Sequence, residues 1–281
     1  QVEKQVQQIP GSGNLRYPDM LRSANVEGEV IAQFVVNEDG VRSLHFTMGE
    51  VQSSMRADRP DELELDYTRT MMGFLLLNPQ PRAIAMIGLG GGSLAKFCHR
   101  HLPSSRITAV ENNPGVIALR REFGVPADDD RFQVVCDDGA AFVARSGGAF
   151  DVLLVDAFEA SGLPPQLSSQ VFYDACFRAL VPGGLLVVNL HADDAGHEAA
   201  TQRIARRFDG NAMQVLAVEK SNCIVFAGRE LPVTLQALRW LQLTTDSLVT
   251  RQRGDGIYAG LPWFNEYWGR DSFISLPGAT L

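Results

Sequence analysis

Several apolar stretches of this sequence end in carboxylate side chains. Glu111 ends the stretch RITAVE, Asp137 and Asp138 end FQVVCDD, and Asp156 ends FDVLLVD. Carboxylates accept hydrogen bonds from the hydroxyl and amino groups of a ligand, and they can take a proton from a reacting group. The spacing therefore predicts a site that binds a polar ligand and moves a proton.

A glycine cluster precedes these carboxylates. Gly88, Gly90, Gly91 and Gly92 lie between AIAMI and LAKFCHRHL, where a strand-to-helix turn must bend sharply and let a ligand approach the backbone. Ordinary turns also collect glycine, so the cluster alone is a weak signal. Glu111 strengthens it, because an acidic residue about 20 positions downstream can accept hydrogen bonds from both hydroxyls of a ribose. The alternative role for Glu111 is a helix cap before NNPG.

The other carboxylates also have two interpretations. Asp137, Asp138 and Gly139 follow a predicted strand, where one carboxylate can accept a hydrogen bond from an adenine amino group. Alternatively, the aspartate caps the helix that is predicted to begin at Ala140. Asp156 is expected to point into the ligand crevice at the carboxyl end of the sheet, together with the other carboxylates. Its alternative role is that of a turn or cap residue.

The surrounding elements alternate in type, which predicts crossover units, a parallel sheet and helices on both of its faces. The predicted strands are AIAMI, RITAVE, FQVVC, FDVLLV and GGLLVVNL. The predicted helices are LAKFCHRHL, NPGVIALRREF, AAFVARS, SSQVFYDACFRALV and HEAATQRIARRF. MQVLAVE and NCIVFAG follow without a helix between them, which predicts an antiparallel hairpin at one edge. Upstream, Val30 to Arg56 is predicted as a small β-hairpin region and Asp61 to Leu77 as a helix.

Composition narrows the function classes. The chain has 281 residues, of which 45% are hydrophobic, and a formal charge of −8, which argues against a broad nucleic-acid surface. An acidic surface suits a cationic substrate. No run of about 18 apolar residues that could span a bilayer is present, and the polar start, Gln1 to Gln8, has no apolar signal core, so a cytoplasmic protein is expected. The cysteines, which are Cys98, Cys136, Cys176 and Cys223, have no CxxC spacing and are predicted to be buried, reduced thiols.

The order of these motifs over about residues 39–231 resembles the spermidine synthase (polyamine aminopropyltransferase) family. The glycine cluster, the strands ending in VE and DDG, and the segments FDVLLVD and VFYDACFRALVPGGLLVV carry the resemblance. It implies an α/β, Rossmann-like S-adenosylmethionine-dependent transferase fold with a mostly parallel, doubly wound sheet and a small N-terminal β region. It also implies Glu111 on the ribose hydroxyls, Asp138 on the adenine side and Asp156 as the proton acceptor for an attacking amine.

The resemblance further implies a co-substrate, decarboxylated S-adenosylmethionine or S-adenosylmethionine, and no metal. The partner would be a small amine, with a homodimer formed through the β-rich N-terminal region. Gly88, Gly90, Gly91, Asp137 and Gly139 would complete the cofactor side, and Gln52, Tyr67 and Glu159 the amine side.

The sequence departs from the family pattern at several positions. Gly91 stands about where the family has an aspartate that helps to hold the aminopropyl group. Glu159 replaces a second aspartate after Asp156, Tyr67 is the nearest match to a Tyr-His or Tyr-Gln pair, and EKSNCIVF replaces a late TY. The resemblance is thus better supported for the cofactor-binding residues than for the amine-binding residues. Two alternatives remain: an S-adenosylmethionine-dependent methyltransferase, and a catalytically degenerate nucleotide-binding protein.

The two ends resemble other families. The first 40 residues are similar to the start of a TonB C-terminal domain, and about the last 40 are similar to a segment of glycogen-debranching glycoside hydrolases. We expect both to be appended segments without the parent activities. The predicted division is a β-rich region over 1–78, a catalytic domain over 79–231 and a C-terminal helix and apolar tail over 232–281.

Overall fold

The computed structural model describes residues 33–36, 40–47, 50–158, 163–217, 219, 221–230, 249–250 and 256–257. Its strands are β1 (Gln33–Val36), β2 (Val41–Thr47), β3 (Glu50–Arg56), β4 (Ala83–Ile87), β5 (Arg106–Glu111), β6 (Phe132–Cys136), β7 (Phe150–Val155), β8 (Leu180–His191), β9 (Ala212–Leu216), β10 (Asn222–Gly228), β11 (Val249–Thr250) and β12 (Gly256–Ile257). Its α-helices are α1 (Asp66–Met71), α2 (Ser93–His101), α3 (Pro114–Ala118), α4 (Gly139–Arg145), α5 (Gln170–Ala179) and α6 (His197–Arg207). Short 3₁₀ helices cover Met72–Leu76 and Pro165–Leu167.

The central sheet has seven strands in the order β6-β5-β4-β7-β8-β10-β9. The first five are parallel, and β10 lies antiparallel to both β8 and β9. The mostly parallel α/β sheet is therefore confirmed, and so is the closing antiparallel hairpin. Because β10 lies inside the sheet beside β8, only β9 of that hairpin forms the edge.

Each face of the sheet has its own core. In β4, Ile84 and Met86 belong to a first core beneath α1, α2 and α3, whereas Ala85 and Ile87 belong to a second core beneath α4, α5 and α6. Side chains alternate in this way because successive residues of a strand point to opposite faces. Helices thus cover both faces, as the alternating sequence pattern predicts.

The N-terminal strands form a separate antiparallel sheet in the order β1-β2-β3. Leu44 and Met55 from this sheet are buried in the first core. The small N-terminal β region is confirmed, and it lies against the same face of the central sheet as α2.

Three local predictions are corrected. The helix expected from Asp61 begins only at Asp66, because Leu65 is extended and the Arg69 side chain donates to the carbonyl oxygen of Leu63 at 2.6 Å. The helix expected from NPGVIALRREF ends at Ala118, where the chain passes into turns. Cys136 is exposed on β6, at the other edge of the sheet, while the remaining three cysteines are buried and all four are free thiols.

Within the described residues, no helix has the length and apolar composition that crossing a membrane would require. Most of residues 1–40 and 232–281, where the TonB-like and debranching-enzyme-like segments are predicted, lie outside the described residues.

Candidate active site

Three neighbouring strands carry an apolar stripe that ends in a polar residue. On β7, Val152 and Leu154 belong to the first core, and Asp156 follows in the same phase. On β8, Leu185 and Val187 are followed by Asn189. Antiparallel β10 reverses the order, so Asn222 precedes Ile224 and Phe226. All three polar residues therefore lie on the same face of the sheet and at the same end of its strands, which is the carboxyl end of the parallel strands.

Asp156 is at the centre of a hydrogen-bond network at this edge. The Tyr67 hydroxyl donates to Oδ2 of Asp156 at 3.2 Å, and Nδ2 of Asn189 donates to Oδ1 at 2.9 Å. Oδ1 of Asn189 in turn accepts from Nδ2 of Asn222 at 3.0 Å. The helix α1 supplies Tyr67, so the network joins the helix to three strands of the sheet.

The environment of Asp156 raises the pKa of its carboxyl group above the ordinary value. Burial is the main cause, and the hydrogen bonds from Asn189 and Tyr67 and the charge of His191 oppose it. Burial, together with the Asp156 charge, also raises the pKa of Tyr67 well above that of a free tyrosine. Tyr67 therefore stays a neutral hydrogen-bond donor, while Asp156 becomes a stronger base than an exposed aspartate.

The glycine cluster turns the chain from β4 into α2. Gly88, Gly90 and Gly92 have φ angles of +95°, +51° and +69°, which residues other than glycine rarely adopt. A Cβ atom at Gly90 would meet no atom closer than Ser53 Cβ at 3.9 Å, whereas one at Gly88 or Gly92 would collide with a neighbouring residue. The loop is thus a backbone cradle that is uncrowded at Gly90, and its contact with the adenosyl co-substrate stays a prediction.

Glu111 lies beside this cradle at the end of β5. Its Oε2 accepts from the Leu89 backbone N–H at 3.0 Å, and its Oε1 accepts from that of Asn113 at 2.9 Å. Burial raises the pKa of Glu111, and hydrogen bonds from nearby backbone N–H groups oppose the rise. These N–H groups belong to Asn113, Leu89, Gly90 and Asn112, and contact of the carboxylate with a ribose diol stays a prediction.

Asp137 and Asp138 both have protein partners. Asp137 forms an ion pair with Arg145, and Asp138 is the N-cap of α4, with Oδ1 accepting from the Ala141 N–H at 2.7 Å. The capping role that the sequence allowed for Asp138 is therefore present. Contact with adenine stays a prediction. Gly139 begins α4 beneath Ile87, whose Cγ2 would lie 2.4 Å from an added Cβ atom.

The backbone of Gly91 is crowded by neighbouring side chains. A Cβ atom at this position would lie 2.5 Å from Ser53 Oγ and 2.9 Å from Phe123 Cδ1, so an aspartate would force both neighbours to move. Gln52 is half-buried on β3 beside Ser53, and its role stays a prediction. Glu159 lies outside the described residues.

Sequence reasoning missed Asn189, Asn222 and His191. His191 ends β8, and its ring stacks on Phe158, two residues after Asp156, with centroids 4.2 Å apart. A signal was present for Asn189, because an amide within the apolar run LLVVNL is costly to bury without partners. Among the described residues, no group of three or more His, Cys, Asp or Glu side chains is placed to hold a metal ion.

The chain matches known families and proteins. The family described as "Spermine/spermidine synthase domain" matches residues 64–220, and the one described as "Amylo-alpha-1,6-glucosidase" matches residues 233–281. The resemblances of the two ends to other families nevertheless stay predictions.

Relatives from two bacteria match most of the chain. A polyamine aminopropyltransferase of Chromobacterium violaceum is 39% identical over 210 residues, which is 74% of this chain and 80% of that protein. A polyamine aminopropyltransferase of Neisseria meningitidis is 37% identical over 200 residues, or 70% and 76% of the two chains.

Solved structures share the fold. A probable spermidine synthase from Corynebacterium glutamicum has a TM-score of 0.61 at 21% identity, over 70% of this chain and 76% of that one. Human methyltransferase-like protein 13, in complex with SAH, has a TM-score of 0.55 at 26% identity, over 62% of this chain and 88% of that one. Given the family match and the identity to the bacterial relatives, the chain belongs to the spermine/spermidine synthase domain family.

Proposed function

We propose that this protein is a polyamine aminopropyltransferase, which transfers an aminopropyl group from decarboxylated S-adenosylmethionine to an amine such as putrescine. The observation that carries the proposal is the Asp156 carboxylate, held by Tyr67 and Asn189 at the edge of the sheet where an open α/β fold binds its ligand. Relatives at 39% and 37% identity support the same reaction.

The chemistry requires a base. A protonated amine cannot attack carbon until it loses a proton, and Asp156 takes that proton. The nitrogen lone pair then forms a bond to the aminopropyl carbon next to the sulfonium. The carbon–sulfur bond breaks, its electron pair stays on sulfur, and neutral methylthioadenosine leaves. Because the sulfonium is already a good leaving group, positioning of the two substrates supplies much of the remaining rate.

The assigned roles are those that the family resemblance implies. Glu111 accepts hydrogen bonds from the ribose hydroxyls of decarboxylated S-adenosylmethionine. The backbone of Gly88, Gly90 and Gly91 lies beside the same co-substrate. Asp138 lies on the adenine side with Asp137 and Gly139. The amine lies near Asp156, Tyr67 and Gln52, and the family resemblance alone assigns Glu159, which lies outside the described residues, to the amine side. In this proposal residues 79–231 form the catalytic domain, 1–78 a β-rich region that forms a homodimer, and 232–281 an appended segment.

A parallel assay tests the function. The protein is incubated with putrescine and either decarboxylated S-adenosylmethionine or S-adenosylmethionine, and the products are identified by mass spectrometry. We expect methylthioadenosine and spermidine from the first donor, in equal amounts. S-adenosylhomocysteine from the second donor, without methylthioadenosine from the first, would instead identify a methyltransferase. Binding of methylthioadenosine with no product from either donor would identify a degenerate nucleotide-binding protein.

A matched control uses a second aspartate on the same strand. Asp151 lies near the start of β7, where its Oδ2 accepts from the backbone N–H groups of Arg82 and Ala83 at 2.9 and 2.8 Å. Asp151→Asn therefore changes a hydrogen-bonded carboxylate at the opposite edge of the sheet. We expect it to keep product formation at the parent level per folded molecule.

A further inference from the structure

Asn189 is a polar side chain in an apolar strand. It is 2% exposed and follows four fully buried apolar residues of β8. Burying an amide is costly unless it forms hydrogen bonds, so the hydrogen bonds of Asn189 are needed to keep it in this strand. Its hydrogen-bond partners are Asp156 on one side and Asn222 on the other.

The donor and the acceptor of each hydrogen bond between Asp156, Asn189 and Asn222 follow from the charge on the carboxylate. An ionised carboxylate only accepts, so Asn189 must present Nδ2 to Asp156 and Oδ1 to the other side. There Nδ2 of Asn222 donates to it, and Oδ1 of Asn222 accepts from the Ser221 hydroxyl at 3.0 Å. A flipped Asn189 amide would place its oxygen against the carboxylate and its NH₂ group against another NH₂ group.

We propose that Asn189, with its amide orientation set by Asn222, is a positioning residue that holds the carboxylate of Asp156 toward the acceptor amine. This inference rests on the proposed function. The final torsion of an aspartate side chain is broad, so a single donor would leave the carboxylate plane free to rotate. Tyr67 holds Oδ2 and Asn189 holds Oδ1, and two donors from different elements define the plane.

The groups that face Asp156 come from several elements. Tyr67 faces it from α1, Asn189 and the charge of His191 from β8, and the Gly88 backbone from the loop after β4. Removing the Asn189 donor leaves the other three in place. The change therefore separates the contribution of the amide from those of the hydroxyl and the imidazole.

The test is Asn189→Leu, which keeps a similar shape and removes the amide. We expect kcat to fall about 10–100-fold, the range in which small misplacement of a reacting group is felt, with KM for the adenosyl donor unchanged. The acidic limb of the pH–rate profile should move to higher pH, because the lost donor favoured the ionised carboxylate. Asn222→Ala should shift both quantities in the same direction by less, and the double variant should be no worse than Asn189→Leu alone.

Asn211 provides the control. Its Nδ2 donates to the carbonyl oxygen of Gly228, at the other end of β10 from Asn222, so Asn211→Leu also removes an amide hydrogen bond but does so away from Asp156. We expect its pH profile to match that of the parent. Asn189→Ser, which removes the amide without adding apolar volume, serves if Asn189→Leu does not fold.

A readout independent of turnover separates the inference from the proposed function. ¹³C NMR of the labelled carboxyl groups, assigned with Asp156→Asn, reports the titration of Asp156 even if no transfer occurs. A titration at higher pH in Asn189→Leu, but not in Asn211→Leu, supports the inference. The inference is overturned if the titration and the pH–rate profile of Asn189→Leu equal those of the parent.

Discussion

The backbone of Gly88 packs directly on that of Asp156. A Cβ atom at position 88 would lie 2.1 Å from the Asp156 carbonyl oxygen, and the Asp156 N–H donates to the carbonyl oxygen of Ile87 at 2.9 Å. The glycine loop and the proposed base are therefore in contact through their backbones. A substitution that displaces the glycine turn is therefore expected to displace Asp156 as well.

Gly88→Ala should be strongly destabilising. A side chain at a φ of +95° is strained, by roughly 1–2 kcal/mol, and the collision with Asp156 adds roughly 1–3 kcal/mol of overpacking. Gly148→Ala is the control, because its φ is +57° but a Cβ atom there would meet nothing within 4 Å. Urea unfolding should show the larger loss for Gly88→Ala. Equal losses in the two variants would mean that the contact with Asp156 contributes nothing.

Glu111→Gln should weaken nucleoside binding. Losing a charged acceptor for the ribose hydroxyls costs about 1.5–3 kcal/mol, which corresponds to a 10- to 150-fold weaker affinity for methylthioadenosine. Calorimetry measures this directly. Asp151→Asn, which also alters a carboxylate that accepts two backbone N–H groups, should bind as the parent does. Undiminished affinity in Glu111→Gln would contradict the ribose contact.

Much of this arrangement could be predicted from the sequence. Parallel strands buried on both faces read as continuous apolar runs, so those runs alone place Glu111 and Asp156 at strand ends. Asn222 could not be placed, because it begins its strand and reaches the site edge only through the reversed direction of β10. The start of α1 depends on the Arg69 side chain bonding the preceding loop, a tertiary contact that helical spacing does not contain.

Lys96 should make stability depend on pH in the alkaline range. It is 1% exposed in the first core, where its Nζ donates to the carbonyl oxygen of Phe123 at 2.8 Å. Burial lowers the pKa of Lys96 to about 8, assisted by Arg42 and opposed by Asp61. An unfolded lysine titrates at about 10.4, so the folded protein releases this proton first and gains stability as pH rises between the two values.

The comparison is between the parent and Lys96→Met, unfolded in urea at pH 7 and pH 10. The stability of the parent relative to Lys96→Met should be greater at pH 10, because at pH 7 the folded protein must hold a buried charge. A difference that is the same at both pH values would show that Lys96 keeps an ordinary pKa in the folded protein.

The pH dependence of stability should also change in Asp156→Asn. The raised pKa of Asp156 means that its contribution to stability is present below the ordinary aspartate pKa and is lost as pH rises through the folded value. The variant has no such loss. Its melting temperature should therefore improve relative to the parent as pH rises from 4 to 8, and a constant difference would contradict the raised pKa.

Turnover is where Asp156→Asn should matter most. The amide keeps the size of the side chain and a hydrogen-bonding oxygen, so a structural cap would leave the rate nearly unchanged. An amide cannot accept the proton of the attacking amine, however, and loss of a general base costs about 10²–10⁴-fold in rate. Affinity for methylthioadenosine should stay within about two-fold of the parent, because Glu111 and the glycine loop bind the nucleoside separately. Putrescine and related diamines are the acceptors to try first. An active parent whose Asp156→Asn variant turns over at the same rate would remove Asp156 from the mechanism, whichever amine is the acceptor.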